Sequence, residues 1–155
     1  MTANRTFRRT LALVLTVTLT AGLAVAGTPV KLEDVPKPAV KAVQDRFTKA
    51  AIRSIDKETN GHFEFTMKEG ERVFDVGVKA DGTLIDIKEE IKEDKVPKAV
   101  KEGLQKKHPG ATIVETEKVI VIDGKKEKVR YELKIKVDKK TSEVVFDEDG
   151  KLVGE

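Results

Sequence analysis

Two stretches of the chain alternate apolar and polar residues, which is the pattern of a β-strand with one buried face. The longer stretch runs from Val129 to Val137, with an apolar residue at every second position. The shorter one places Phe63, Phe65 and Met67 two residues apart. Each stretch therefore predicts a central strand. The polar positions that would share the opposite face are Arg130, Glu132, Lys134, Lys136, His62, Glu64 and Thr66.

Each alternating stretch follows a segment in which apolar residues recur with helical spacing. Pro36 and Pro97 stand where the first turn of each helix would begin, and there a missing N–H costs nothing. His108-Pro109-Gly110 predicts the end of the second helix. The apolar positions are Val40, Val43 and Phe47 in the first segment and Val96, Val100 and Leu104 in the second.

The two helix-and-strand segments belong to a tandem repeat. Each opens on a similar run with Glu-Asp before Val-Pro-Lys, and each closes on an Asp-Gly turn, at Asp81-Gly82 and at Asp149-Gly150. The repeat divides the chain into residues 1–26, a first copy over 27–90 and a second copy over 91–155. The second copy is longer in its first hairpin, from Thr112 to Asp123.

Within that hairpin the apolar phase shifts near Lys118, from Val114 to both Val119 and Ile120. Such a shift predicts either a β-bulge or a strand buried on both faces.

These elements predict an α+β fold, in which each copy has one helix followed by a three- to four-stranded antiparallel meander. The helices would cover one face of the sheet and leave the charged face to solvent. A unit of about 60 residues buries only about 60% of its surface, so we expect the two copies to share a core or a sheet.

The N-terminus has the three parts of a secretory signal peptide in order. Arg5, Arg8 and Arg9 form a positive region, and an apolar run follows. The run is too short for the roughly 20 residues of a spanning helix. The small-residue pattern at Ala24 and Ala26 predicts cleavage before Gly27. We therefore expect a secreted or periplasmic protein with no stable membrane anchor after cleavage.

Removing residues 1–26 changes the charge of the protein. The whole chain has 30 Lys and Arg against 27 Asp and Glu, and three of the arginines lie in the predicted signal. The exported part is therefore neutral, with 27 residues of each sign. A nucleic-acid-binding protein needs a basic footprint, so that class is excluded. The chain has no cysteine, which excludes disulfides and a lipoprotein anchor.

The second copy resembles the PepSY-like family of β-lactamase-inhibitor-like proteins. The motifs that carry the resemblance are Val-Pro-Lys-Ala-Val, a Pro-Gly helix stop, Tyr-Glu-Leu in the central strand and a closing Asp-Glu-Asp-Gly-Lys-Leu turn. In this chain they are Val96 to Val100, Pro109-Gly110, Tyr131 to Leu133 and Asp147 to Leu152. The first copy matches as a degenerate version, without the Pro-Gly stop and the tyrosine. The resemblance implies this fold and an exported binding or inhibitory module, with a peptidase as one possible partner.

Catalytic and metal-binding patterns are weak. The exported part has two serines and two histidines, none of them in a nucleophile motif, so we expect no enzyme, no catalytic residue and no cofactor. Asp147 to Gly150 superficially resembles a calcium loop, but the chain stops before the last ligand position that such a loop requires. Two isolated histidines do not make a zinc site.

Two functions remain open. The leading one is an extracytoplasmic protein-binding module whose partner is a peptidase or an envelope protein. Its candidate binding residues are the polar positions of the two central strands given above. Tyr131 has the phase of a core residue and is not among them. The alternative is a small-ligand or metal-ion sensor that uses the acidic loops.

Overall fold

The computed structural model describes residues 27–155, which form one antiparallel sheet of nine strands and two helices. The strands lie side by side in chain order, so both halves contribute to a single sheet. The strands are β1 (Thr28–Pro29), β2 (Ala51–Lys57), β3 (Phe63–Glu69), β4 (Arg72–Val78), β5 (Leu84–Glu90), β6 (Thr112–Asp123), β7 (Lys126–Val137), β8 (Lys140–Asp147) and β9 (Leu152–Gly154).

Helix α1 (Lys37–Arg46) and helix α2 (Lys98–Lys107) have ten residues each and begin in the same way. A short 3-10 turn precedes each of them, at Leu32–Asp34 and at Glu93–Lys95. Pro36 and Pro97 occupy the N-cap positions, where the absent N–H leaves no hydrogen bond unmade. Strands β2 to β5 follow α1 and strands β6 to β9 follow α2, so each helix is followed by a four-stranded meander. The buried helical residues are Ala39 and Val43 in α1 and Val100 and Leu104 in α2.

Both helices pack on the same face of the sheet, as the pairing register shows. Ile87 of β5 lies opposite Ile120 of β6, and Ile120 lies opposite Val129 of β7. Val129 has the same phase as the buried Leu133 and Ile135, because side chains two residues apart share a face. One apolar face therefore runs through both halves, and the expected placement of the helices is correct.

The apolar face holds two hydrophobic clusters, one under each helix. The first contains Phe65 and Phe74, and the second contains Leu133 and Phe146, all of them at most 1% exposed. The clusters are not independent, because Ile120 and Ile122 of β6 pack against the first one. Strand β6 follows α2 in the chain, so the second half of the protein completes the core of the first half.

The phase shift in β6 has two separate causes. The register shift lies between Ile113 and Glu115, earlier than the expected position near Lys118. Val119 and Ile120 are instead consecutive residues on opposite faces, and Val119 is only 2% exposed although it points away from the helices. Burial on both faces therefore explains the apolar pair. The alternative of a β-bulge near Lys118 is wrong, because the pairing of β6 with both of its neighbours is regular there.

Each helix touches the last turn of its own half through a glycine. A Cβ on Gly82 would lie 2.7 Å from the carbonyl oxygen of Pro38, and a Cβ on Gly150 would clash with the carbonyl oxygen of Ala99. Both glycines have positive φ, +89° and +77°. Gly103 of α2 faces Gly150 equally closely. Helix and turn therefore meet backbone to backbone, which a larger residue would prevent.

Among residues 27–155 no helix has the length and apolar character needed to cross a membrane. The predicted signal peptide and the cleavage residues Ala24 and Ala26 lie outside the described residues, and Gly27 is the first residue within them.

Candidate functional site

The face of the sheet opposite the helices is covered by no other element of the described chain, and it is densely charged. The register fixes its membership, because residues paired across strands share a face. We call this surface the polar face. Its charged residues on strands β4 to β8 are Asp75, Asp86, Lys88, Glu90, Glu115, Glu117, Asp123, Lys126, Lys128, Arg130, Glu132, Lys134, Lys136, Glu143 and Asp147, and β3 adds Glu64 and Lys68.

Lys88 lies near the middle of the polar face, where the two halves of the protein meet. Its register partners are Asp75 on β4 and Val119 on β6. Its Nζ is 3.9 Å from Oε2 of Glu64, and both side chains are about one-third exposed. Asp75 Oδ1 is buried and has no hydrogen-bond partner within residues 27–155. The centre of the face is therefore a partly desolvated group of charges with one lysine among several carboxylates.

Burial raises the pKa of Glu64, Glu117 and Glu132 above the ordinary glutamate value, while Lys88 acts in the opposite direction on all three. For Lys88 itself, burial favours a lower pKa, but the surrounding carboxylates, Asp86 and Glu64 foremost, outweigh it and raise the pKa. The negative charges thus stabilise the ammonium ion, and one lysine does not neutralise them all.

The structure brings most of the predicted binding residues together. Glu64, Thr66, Arg130 and Glu132 all lie on the polar face, Glu64 and Glu132 close to Lys88. Lys134 extends the face, and its Nζ forms an ion pair with Oε1 of Glu115 at 3.0 Å. These residues come from both halves of the chain.

The two remaining predicted residues lie toward the margins. His62 precedes β3 and lines a cleft with Glu64 and Lys88, while its backbone N–H donates to Asn60 Oδ1 at 2.9 Å. Lys136 is exposed opposite Thr112 and Thr141. Tyr131, expected in the core, is 6% exposed there.

Sequence reasoning missed the centre of the face. Lys88, Asp86 and Asp75 lie on β5 and β4, where Gly77 and a register shift between Gly77 and Val78 obscure the alternation. Glu117 lies in β6, whose phase was ambiguous. The signal available in the sequence was the long run of charged residues after Ile85. It predicts that this segment is exposed, but it does not show which strands lie beside it.

In the acidic turn that resembles a calcium loop, a carboxylate accepts hydrogen bonds from the backbone. Asp147 Oδ1 accepts hydrogen bonds from the N–H groups of Asp149 at 3.2 Å and Lys151 at 2.9 Å. This is the geometry of an Asx turn between β8 and β9. Within the described residues no group of three or more His, Cys, Asp or Glu side chains is placed to hold a metal ion.

His108 is the C-cap residue of helix α2. Its backbone N–H donates to the carbonyl of Leu104 at 2.7 Å. Its Nε2 lies 3.1 Å from Oε1 of Glu155 but has no hydrogen-bond partner within residues 27–155. This pair lies at the C-terminal end of α2, on the side of the sheet opposite the polar face.

Replacing Glu132 with glutamine is expected to raise the free energy of unfolding at pH 7 by roughly 0.5–1 kcal/mol, because the amide keeps the shape without the charge. The folded protein binds the Glu132 proton more tightly than the unfolded chain does, so wild-type stability falls as pH rises through the raised pKa. The gain should disappear below the ordinary value of 4.5. Urea unfolding at pH 7 and pH 4 measures both quantities.

The control for this experiment is Glu71→Gln, at an exposed position in the β3–β4 turn, which should change stability by less than about 0.5 kcal/mol at either pH. A Glu132→Gln protein that is less stable than wild type at pH 7 would contradict the inference that the ionised Glu132 side chain destabilises the folded protein.

Comparison with known proteins identifies the fold. No family model matches the chain, and no curated protein matches it. A BLIP-like protein of Bacteroides fragilis superposes with a TM-score of 0.64 and 13% identity, covering 77% of this chain and 83% of that one. DUF2874 family proteins of Bacteroides uniformis and Bacteroides ovatus each give a TM-score of 0.66 at 11% identity. They cover 77% of this chain and 86% and 84% of their own chains. The protein therefore has a β-lactamase-inhibitor-like fold.

Proposed function

We propose that the protein is an exported, non-catalytic module that binds another extracytoplasmic protein on the polar face of its sheet. The observation that supports this most directly is the group of partly buried charges around Lys88 on a face that no described element covers. Desolvated carboxylates that repel one another lower stability. Placing them at the centre of an open surface is consistent with selection for recognition.

The proposed mode of binding is electrostatic. The polar face has more carboxylates than ammonium and guanidinium groups, although the exported part of the chain is neutral overall. Large aromatic side chains, which dominate many tight interfaces, are buried on the opposite face, at Phe65, Phe74 and Phe146. We therefore infer a polar interface whose formation depends on salt and whose partner presents positive charge.

Export is the second part of the proposal and rests on the signal-peptide pattern of residues 1–26. A neighbour in fold from Bacteroides eggerthii, with a TM-score of 0.65 and 12% identity, is named as a candidate periplasmic protein, which is compatible with this location. The resemblance to PepSY-like proteins supports a peptidase as the first partner to test.

The experiment immobilises the exported protein and exposes it to envelope extract and to purified secreted peptidases. The variant Glu117→Lys/Glu132→Lys reverses two charges at the centre of the polar face. We expect it to lose at least tenfold in partner affinity, because like charges then meet across the interface. Raising the salt concentration should weaken wild-type binding as well.

The matched control is Glu102→Lys, which reverses an exposed charge on helix α2, where Glu102 lies 3.4 Å from Lys98 on the other side of the molecule. It should keep full affinity. A partner that binds the double variant as well as the wild type would place recognition elsewhere. A shift of several degrees in melting temperature with calcium, zinc or iron, without a protein partner, would favour an ion sensor instead.

A further inference from the structure

Strand β8 has an uncovered backbone along part of its outer side. Its inner neighbour β7 pairs with it from Asp147 to Lys140. On the outer side β9 pairs only with Val145 and Phe146. Within the described residues, the segment from Thr141 to Glu143 is therefore an edge of the sheet, and all three of its residues are exposed.

The pairing shows which backbone groups point to this edge. In an antiparallel ladder, successive residues direct their N–H and C=O groups alternately to the two sides. The N–H of Asp147 donates to the carbonyl of Lys151 at 3.0 Å, on the outer side of β8. The β7–β8 ladder has no register shift, so Glu143 and Thr141 point the same way. The backbones of Glu143 and Thr141 therefore present two N–H donors and two C=O acceptors in the geometry that an added strand needs.

The other edge of the sheet is less suited to an added strand. Strand β1 covers Asp56 and Lys57 of β2, and the backbone N–H of Val30 donates to the carbonyl of Ile55 at 2.9 Å. Beyond them a register shift between Ile52 and Ser54 interrupts β2. Bulges of this kind protect edges from pairing. The uncovered part of β8 has no such interruption.

The open edge borders an acidic cleft of about 480 Å³ on the polar face. The cleft is lined by four carboxylates and one lysine, and that lysine, Lys134, is held by Glu115 at 3.0 Å. Glu117, Glu132 and Glu143 form no ion pair within 4.0 Å among the described residues. A positively charged side chain entering from the edge would therefore meet three carboxylates that have no ion-pair partner among the described residues.

We propose that the Thr141–Glu143 edge accepts an extended segment of the partner as an additional strand, with lysine or arginine side chains placed in the acidic cleft. Strand addition gives affinity through the backbone, and the cleft gives specificity through alternate side chains. This inference rests on the proposed function, because it names the docking element of the partner protein.

The probe is a seven-residue peptide with blocked ends that alternates lysine and valine, so that every lysine lies on one face of the extended chain. Titration calorimetry measures its affinity for the exported protein, and amide exchange measures protection at Thr141 and Glu143. We expect binding that weakens with salt and protects both amides. A glutamate–valine peptide of equal length should bind at least tenfold more weakly.

Thr141→Pro removes an outward donor and no hydrogen bond to β7, which an edge strand tolerates. It should reduce peptide affinity at least tenfold. Ser142→Ala alters a side chain at the same edge and leaves every backbone donor in place, so it should bind like wild type. If Thr141→Pro is unfolded, a peptide N-methylated at alternate amides decides the question on the wild-type protein, to which it should not bind.

Equal affinity for the two peptides, or full binding by a folded Thr141→Pro, would overturn the inference. So would self-association of the wild type that Thr141→Pro abolishes, since the edge would then hold a second copy. The proposed function is tested separately: a protein partner lost by Glu117→Lys/Glu132→Lys but retained by Thr141→Pro supports docking on the face and refutes strand addition.

Discussion

Replacing Gly150 with alanine should lower the free energy of unfolding by about 2–5 kcal/mol. An L-residue at its φ of +77° costs about 1–2 kcal/mol. The new Cβ would also clash with the carbonyl oxygen of Ala99 in α2, and such overpacking adds about 1–3 kcal/mol. Urea unfolding followed by circular dichroism measures the loss.

Gly110→Ala is a closely matched control, because Gly110 has a φ of +78° and nothing within 4 Å of an added Cβ. It should show only the backbone cost of about 1–2 kcal/mol. The difference between the two variants isolates the contact between helix and turn. Equal losses in both would mean that α2 shifts away at little cost and that the close approach does not stabilise the fold.

Phe65→Ala and Phe146→Ala should each lower the free energy of unfolding by about 3–5 kcal/mol, since both side chains are fully buried and leave a cavity. The residues lie in different clusters. We nevertheless expect each variant to unfold in a single transition, because five residue pairs join β5 to β6 and Ile120 packs into the first cluster. Tyr131 fluorescence and far-ultraviolet circular dichroism should give the same midpoint.

The control for the size of the effect is Val114→Ala, at a residue 52% exposed, which should change stability by less than about 0.5 kcal/mol. Two separate transitions in Phe65→Ala, with the fluorescence of Tyr131 unchanged through the first, would show that the halves unfold independently.

The elements of this fold follow from the sequence because most of them obey one period. Strands β3 and β7 bury every second residue, and α1 and α2 start at prolines, so local pattern and final structure agree. Strand β6 departs from this because it carries apolar residues on both faces where the halves join, with Val119 buried on one face and Ile120 partly buried on the other. Where two units join, the apolar residues do not follow the period of a strand with one buried face. The register of such a strand can therefore be determined only from the three-dimensional structure.

The candidate site was predictable only as a surface. Alternation places Glu64 and Glu132 on the face away from the core, but it does not give the distance between strands that are far apart in the chain. The single sheet brings both of them close to Lys88. Burial in the assembled sheet raises the pKa of both glutamates and the nearby Lys88 acts against that rise, and a linear pattern contains neither effect.

The order of the strands has a consequence for how the chain folds. Every strand pairs only with its neighbour in the chain, so each new hairpin can form on an edge that is already present. The longest segments between paired strands are the two that contain the helices, between β1 and β2 and between β5 and β6, and local contacts of this kind favour fast folding. A chain threaded through a membrane from its N-terminus would deliver the strands in their order of assembly. The first core would then remain incomplete until β6 arrives.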